Sequence, residues 1–460
     1  MSTDPYVPGV GTDAAVLRHI EAVLDVRLAA NRLAGTVRLR LRLAREVDAV
    51  ELDLHQRLAV SSVQATTPVG AGPVKARRPP RAPHRLHVPL GAALPEGTVV
   101  ELEIAYAGSP APRRSPWGTI GWEELTDGVL VAGQPHGAST WLPCVDSPAV
   151  KTTADITVTC DAGYLPVANG RGEQVRTRGS RVTWRWRLDR PVSPYLLTLQ
   201  IGRYRRTALL PAGLSSSTPA AEEVAAPAVP PLRLVAPPSL ERRARTAFAD
   251  QARMAAVFAQ AYGPYPFEDY TVVVADDELE IPLEAAGMSL FGRNHLDGSW
   301  ESERLIAHEF SHQWFGNSVT LARWSDLWLH EGFACWSEWL WAEASGRSTV
   351  ETMARRAWEG LRRKPQDLVI ADPGPQDMFD DRLYKRGALT VAALQALLGP
   401  EVFSQALREW TTKHRHGTVT TPMLREHLHS WAPSAAVSTQ AVDEVLEAWL
   451  MRPELPALSV

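Results

Sequence analysis

Cysteine is scarce in this chain, with three in 460 residues: Cys144, Cys160 and Cys335. That is too few for a disulfide framework, and the expectation is buried free thiols in a reducing compartment. Positive charge is not in excess either. The formal net charge is −4, and the densest basic stretch, Lys75 to Arg85, is broken by prolines. Both facts argue against a nucleic-acid-binding surface. No run of eighteen apolar residues occurs, so no membrane-spanning helix is expected. The first thirteen residues lack the basic-then-apolar pattern of a leader, and the expectation is a soluble, cytoplasmic protein. Tryptophan, by contrast, is plentiful at sixteen, and core packing is the role expected of most of these rings.

The length allows two or three domains with sizeable cores. Residues 1–206 read mainly as strands. Val37 to Leu43 alternates strictly between apolar and charged residues, as does Val182 to Leu188, and Val99 to Tyr106 does so in part. Residues 207–238, rich in Ala, Pro and Ser, read as an extended linker. Residues 239–460 then read as mainly helical, with Ser239 as the N-cap of a helix running to about Gln260 and an apolar strand from Thr271 to Ala275. Further helices are expected near 301–316, 329–345, 348–363, 382–398, 401–413 and 438–450. The fold class is therefore α+β, a β domain followed by a mainly helical one.

The chemistry concentrates between Arg304 and Trp341. His308, Glu309 and His312 form an HExxH sequence, and on a helix residues four apart share a face, so both imidazoles reach one metal ion. Eighteen residues separate His312 from Glu331. Two histidines and a glutamate leave one position of a tetrahedral zinc site open to water, which is a catalytic pattern. Glu309 is placed to take a proton from that water. HExxH alone also occurs by chance on helix surfaces; here Leu305, Ile306, Phe310, Trp314 and Phe315 give the motif a face to bury. Cys335 lies close to Glu331 in sequence, and His414 with His416 form a second histidine pair, but neither adds a coherent ligand set.

These residues resemble a known signature. His308 to Thr320, followed by Trp324 to Ala334, is similar to the aminopeptidase N family of zinc metallopeptidases, the gluzincins that include leukotriene hydrolase. Gln313-Trp314-Phe315-Gly316-Asn317 fits that pattern, while His330 stands where the family usually has Asn, a change read here as neutral. The resemblance implies a saddle-like N-terminal β domain and a thermolysin-like catalytic domain, the first two domains of longer members. It also implies one zinc ion per chain, and peptides with a free N-terminus as substrates.

Further segments extend the resemblance. Gln134, ahead of Pro143-Cys144, Asp146, Pro148 and Lys151, matches a segment whose Gln helps to bind the substrate amine. Glu284 matches the glutamate of a Gly-x-Met-Glu-Asn sequence that receives the α-ammonium, although Ile281 and Ala285 replace the Gly and Asn. A carboxylate so placed would fix the scissile bond one residue from the amine. Tyr384, in a segment like Tyr-x-Lys-Gly-Ala with Arg386 for Lys, matches a donor to the tetrahedral oxyanion. The outer nitrogen of a ligand histidine is expected to meet Asp326. The implied activity is a zinc aminopeptidase. An endopeptidase would share the metal site without needing Glu284, an epoxide hydrolase would use the same metal on a lipid, and a binding module would not require all of these residues. Oligomeric state has no signal in the sequence.

Overall fold

The computed structural model describes residues 4–209 and 229–458. Its N-terminal half is built on an eight-stranded sheet. In spatial order the strands are Arg171–Arg178, Arg181–Val192, Thr152–Asp161, Ala15–Arg27, Arg32–Leu43, Val99–Gly108, Leu58–Thr67 and Gly70–Pro73. The alternation read from the sequence sets its inner face. Leu33, Val37, Leu39 and Leu41 are fully buried, as are Val100, Leu102 and Ile104 of the antiparallel neighbour, while the arginines between them face outward. A smaller five-stranded sheet follows, in the order Leu165–Ala168, Leu199–Gly202, Gly128–Ala132, Gly118–Leu125 and Arg113–Ser115. Gln134 leaves the end of its Gly128–Ala132 strand, which points it out of the sheet.

The third sheet belongs to the helical half. Its order is Arg205–Ala208, Leu232–Ala236, Tyr270–Ala275, Met288–Gly292 and Leu283–Ala285. Every residue of Tyr270–Ala275 is buried, and both of its neighbours run parallel to it, the situation that favours an unbroken apolar run. Two of these strands correct the expected linker. Arg205–Ala208 and Leu232–Ala236 pair with each other across it, and the rest of that stretch, residues 210–228, lies outside the described residues. The proline-rich composition masked Leu232–Ala236, whose pairing partner Tyr270–Ala275 is far off in sequence.

Nine α-helices follow among the described residues: α1 (Glu241–Ala247), α2 (Gln251–Tyr262), α3 (Trp300–Ser311), α4 (Trp328–Ala344), α5 (Val350–Leu361), α6 (Asp381–Leu398), α7 (Pro400–Lys413), α8 (Thr421–Trp431) and α9 (Thr439–Leu446). The single helix expected over 239–260 is two, separated at Phe248–Asp250, where Phe248 turns in to meet Phe291. Ser239 does not cap α1; the N-cap position is Leu240, and no side chain caps it. Helix α8 was not read from the sequence, although Thr420 caps it and Pro422 stands in its first turn. Ten tryptophans are almost fully buried, among them Trp314, Trp324, Trp328, Trp336, Trp339 and Trp341 around α3 and α4. The three cysteines are buried and unpaired. No helix of the described residues is long and apolar enough to cross a membrane.

Candidate active site

Helix α3 begins at Ser299, whose hydroxyl accepts from the Ser302 N–H, and acidic Glu301 and Glu303 suit its first turn. His308 and Glu309 lie in its last turn. His312 is the C-cap with helical dihedrals, so the i, i+4 relation of the two imidazoles is kept. Helix α4 presents Glu331 from its first turn. The three meet: His308 Nε2 stands 3.3 Å and His312 Nε2 3.5 Å from Glu331 Oε2. Each imidazole is turned by a bond on its other nitrogen. His308 Nδ1 is 2.8 Å from Glu338 Oε1, and His312 Nδ1 is 3.0 Å from the Phe315 carbonyl. Both Nε2 atoms are thereby aimed at the same point, the arrangement a metal needs.

The residue that orients His308 is Glu338, and Asp326 is not involved. Asp326 instead accepts from the Thr421 backbone and hydroxyl at the start of α8. Glu338 is seven residues after Glu331, two helical turns along the same face of α4, and that spacing was the available signal. Arg304 and Lys385 also face Glu338, at 3.3 and 3.9 Å, and the cations outweigh burial to hold its carboxyl down at about 2.

Glu309 brings a third carboxylate toward the same space. One set of ligand atoms from His308, His312 and Glu331, and another from Glu284, Glu309 and His312, each fall within 4.8 Å of one another. Glu309 is buried and its Oε2 has no hydrogen-bond partner. Burial pushes its pKa up to about 7, against the pull of His308 and His312. Burial would lower both histidines, yet Glu331 and its neighbours carry them up to about 9 and about 10. A divalent cation suits this donor set: two Nε2 atoms that converge on one Glu331 oxygen, with the unpartnered Glu309 Oε2 beside them.

Tyr384 arrives through a close helix contact. A Cβ added to Gly387 of α6 would stand 2.8 Å from the Gly332 Cα of α4. Two glycines thus let the helix axes approach where side chains would separate them. One residue from Gly332 is Glu331, and one turn from Gly387 is Tyr384, so the glycine contact brings the phenol toward the His308, His312 and Glu331 cluster. Its ring lies nearly parallel to that of His308, with centroids 6.2 Å apart. Burial and the nearby Glu331, Glu284 and Glu309 hold its pKa well above the ordinary tyrosine value, so it remains an O–H donor.

Glu284 sits on the edge strand Leu283–Ala285, opposite Ser289. Gln134 Nε2, from the other domain, donates to Glu284 Oε1 at 2.8 Å. The turn after Glu284 is tied to the segment that carries the histidines. The Gln313 amide accepts from Gly287 N and donates to the Ala285 and Met288 carbonyls, and Asn317 Nδ2 donates to the Ala285 carbonyl. Gly287 takes φ +71° there, a conformation glycine adopts without strain. The backbone carbonyl of Ala285 supplies the acceptor, while its side chain is buried; Ile281 is exposed. The roles of Gln313 and Asn317 were not read from the sequence.

Other residues fall outside the cluster. His330 Nε2 accepts the Leu321 N–H at 2.7 Å, and burial pushes its pKa down to about 3, which keeps that nitrogen an acceptor. The Cys335 thiol takes a bond from Lys385 Nζ at 3.2 Å. His414 packs on Trp410 and His416 on Phe267. Arg386 turns away from the site and donates to carbonyls of Ala448, Trp449, Arg452, Pro453 and Glu454, holding the C-terminal stretch.

A β domain packed on a helical domain, with two histidines and a glutamate converging beside a free carboxylate, defines a metal-dependent hydrolase. Comparison with known proteins makes it specific. Residues 247–449 match the peptidase family M1 domain and residues 18–196 the peptidase M1 N-terminal domain. The chain belongs to peptidase family M1, and the cofactor that membership implies is zinc. It is 25% identical over 388 residues to a probable aminopeptidase 1 of Sulfurisphaera tokodaii, covering 78% of this chain and 45% of that protein. It is 25% identical over 425 residues to leucine aminopeptidase 2 of Neurospora crassa, covering 87% and 60%. The chain spans about half the length of the curated relatives it matches. A solved M1 zinc metallopeptidase mutant of Deinococcus radiodurans, bound to a Tyr-Ser-Ala substrate, superposes with TM-score 0.86 at 27% identity, covering 99% of this chain and 98% of that one. A solved two-domain M1 zinc metallopeptidase mutant bound to L-arginine aligns equally well.

Proposed function

We propose that this chain is a zinc aminopeptidase that removes the first residue of short peptides, with His308, His312 and Glu331 as the metal ligands. The observation that carries the reading is the Gln134–Glu284 pair, a half-buried carboxylate and amide beside the ligand trio. A substrate ammonium on that carboxylate places the first peptide bond, and no later one, at the metal. Zinc, when bound, acidifies a water molecule and polarises the carbonyl of the scissile bond. Glu309 takes the proton from the attacking water and delivers it to the leaving amine. Tyr384 donates its phenol proton in a hydrogen bond to the carbonyl oxygen as negative charge develops there. The tripeptide bound by the Deinococcus relative supports short peptides as the substrate class. We place the activity in the cytoplasm, where the three free thiols suit a reducing medium, and fractionation of cells expressing the chain tests that placement.

The test is hydrolysis of aminoacyl fluorogenic amides, each beside its N-acetylated form, with and without chelator. Only free-amine substrates should be cleaved, and chelation should abolish turnover. Glu309→Gln should lower kcat by ~10²–10⁴-fold. Equal cleavage of the acetylated forms would remove Glu284 from its role and identify an endopeptidase.

A further inference from the structure

Lys151 has no part in the chemistry above, yet it is one of the most unusual residues in the fold. It follows the Pro143-Cys144, Asp146, Pro148 segment and enters the strand Thr152–Asp161 of the N-terminal domain. Its ammonium is directed across the domain boundary. It donates to the carbonyls of Asn317 and Ser318 at 3.4 and 3.2 Å, and to the Thr320 hydroxyl. Among the described residues no carboxylate pairs with it. The titratable groups that face it are His330 and His416, both kept neutral by burial. The residue is half-buried, with its ammonium turned into the protein, where a charge without a counterion is costly, and desolvation pushes its pKa down to about 7. Three acceptors arranged on one loop are what offset that cost.

The loop it grips begins where the metal ligands end. Phe315 O takes the bond from His312 Nδ1 that aims the ring. Asn317 N returns to the His312 carbonyl at 2.9 Å, and Asn317 Nδ2 reaches the Ala285 carbonyl at 2.9 Å, one residue from Glu284. The Thr320 hydroxyl in turn donates to the Gly316 carbonyl. One loop therefore sets both the second histidine and the turn that carries the amine-binding carboxylate.

We propose that Lys151 is a positioning residue for the reaction, through which the N-terminal domain holds the 315–320 loop and so sets His312 and Glu284 together. The proposal rests on the aminopeptidase reading for its second half only, since the effect on His312 is read by metal binding without turnover. The experiment uses the full chain with Lys151→Met, Lys151→Arg and, as a control, Tyr6→Phe. Tyr6→Phe removes the hydroxyl that donates to Asp372 and accepts from the Gly374 N–H, another contact between the halves, without touching the loop. Zinc affinity is measured by chelator competition, and kcat and KM on a free-amine aminoacyl amide.

Lys151→Met should weaken zinc by about tenfold or more, the usual scale for losing a group that orients a ligand, and raise KM by a similar factor. Lys151→Arg, which keeps the charge and the donors, should recover most of both. Tyr6→Phe should move neither. Wild-type zinc affinity and KM in Lys151→Met would overturn the proposal, and so would equal losses in Tyr6→Phe. If Lys151→Met does not fold, Thr320→Val, which removes one acceptor, decides. It should show a smaller shift in both quantities, and no shift overturns the idea. Should the wild type cleave no free-amine substrate, the aminopeptidase reading fails, while the zinc titrations still judge Lys151.

Discussion

The closest approach between α4 and α6 makes a demand on a residue with no chemistry of its own. Replacing Gly387 by Ala puts a Cβ 2.8 Å from the Gly332 Cα and 3.4 Å from the Gly332 nitrogen, with Trp328 Cβ 3.7 Å away. Carbon atoms pack at ~3.5 Å or more, and both obstacles at the closest point are backbone, so the helices must separate by roughly 0.7 Å. Two stability effects then compete. Alanine in a helix interior is favoured over glycine by ~1 kcal/mol, while overpacking costs ~1–3 kcal/mol. The net change in stability should be small, with destabilisation of about 0–2 kcal/mol. The effect on catalysis should be larger. Tyr384 rides on α6 one turn from the contact, whereas His308, His312 and Glu331 stand on α3 and α4. A displacement approaching 1 Å at a reacting group can cost ~10²-fold. Gly387→Ala should therefore lower kcat/KM by about 10–100-fold while leaving zinc affinity within a few-fold of wild type. Kinetics on a free-amine amide, chelator competition and a thermal melt give the three numbers. Full activity would refute the argument that the glycine pair sets the phenol, and loss of zinc without loss of turnover per bound metal would show that α4 moves instead of α6.

Three further outcomes follow from the geometry. Glu338→Gln keeps the shape but removes the carboxylate charge from His308 Nδ1, so zinc affinity should fall by ~10–100-fold; an unchanged dissociation constant in chelator competition would remove Glu338 from its orienting role. Tyr384→Phe should lower kcat by about 10²-fold, the ~3 kcal/mol of one oxyanion donor, with KM nearly constant; a change confined to KM would assign the phenol to substrate binding. In the N-terminal domain, burial pushes His136 down to about 3. Its folded pKa is depressed, so the unfolded chain takes the proton first as pH falls. Its contribution is complete above ~6.5 and is lost toward pH 3, at ~1.4 kcal/mol per pH unit. Urea midpoints at pH 7, 6, 5 and 4 should drop more steeply for wild type than for His136→Gln, and parallel curves would count against this origin.

What was legible in the sequence divides by the distance over which each interaction acts. HExxH is a relation within one helical turn, and the alternation of Arg32–Leu43 is a relation within one strand, so periodicity exposes both. Glu331, Glu284, Tyr384 and Gln134 come from separate segments, and family resemblance, not periodicity, singled out the last three. The structure then brings them together through contacts that periodicity does not encode: the Gly332–Gly387 approach and the Gln313 and Asn317 amides. Leu232–Ala236 was hidden because its partner lies more than thirty residues on, while Ser239 failed as a cap although its type was right. Glu338 and Lys151 mark the limit more sharply. Glu338 shares a helix face with Glu331, but its role is set by His308, thirty residues earlier, and Lys151 differs from a surface lysine only through acceptors 166 to 169 residues away. A side chain whose role is to hold another is defined by where that other one is. Lys151 becomes readable only when the fold is in hand, and of the two it alone reaches from one domain to the other.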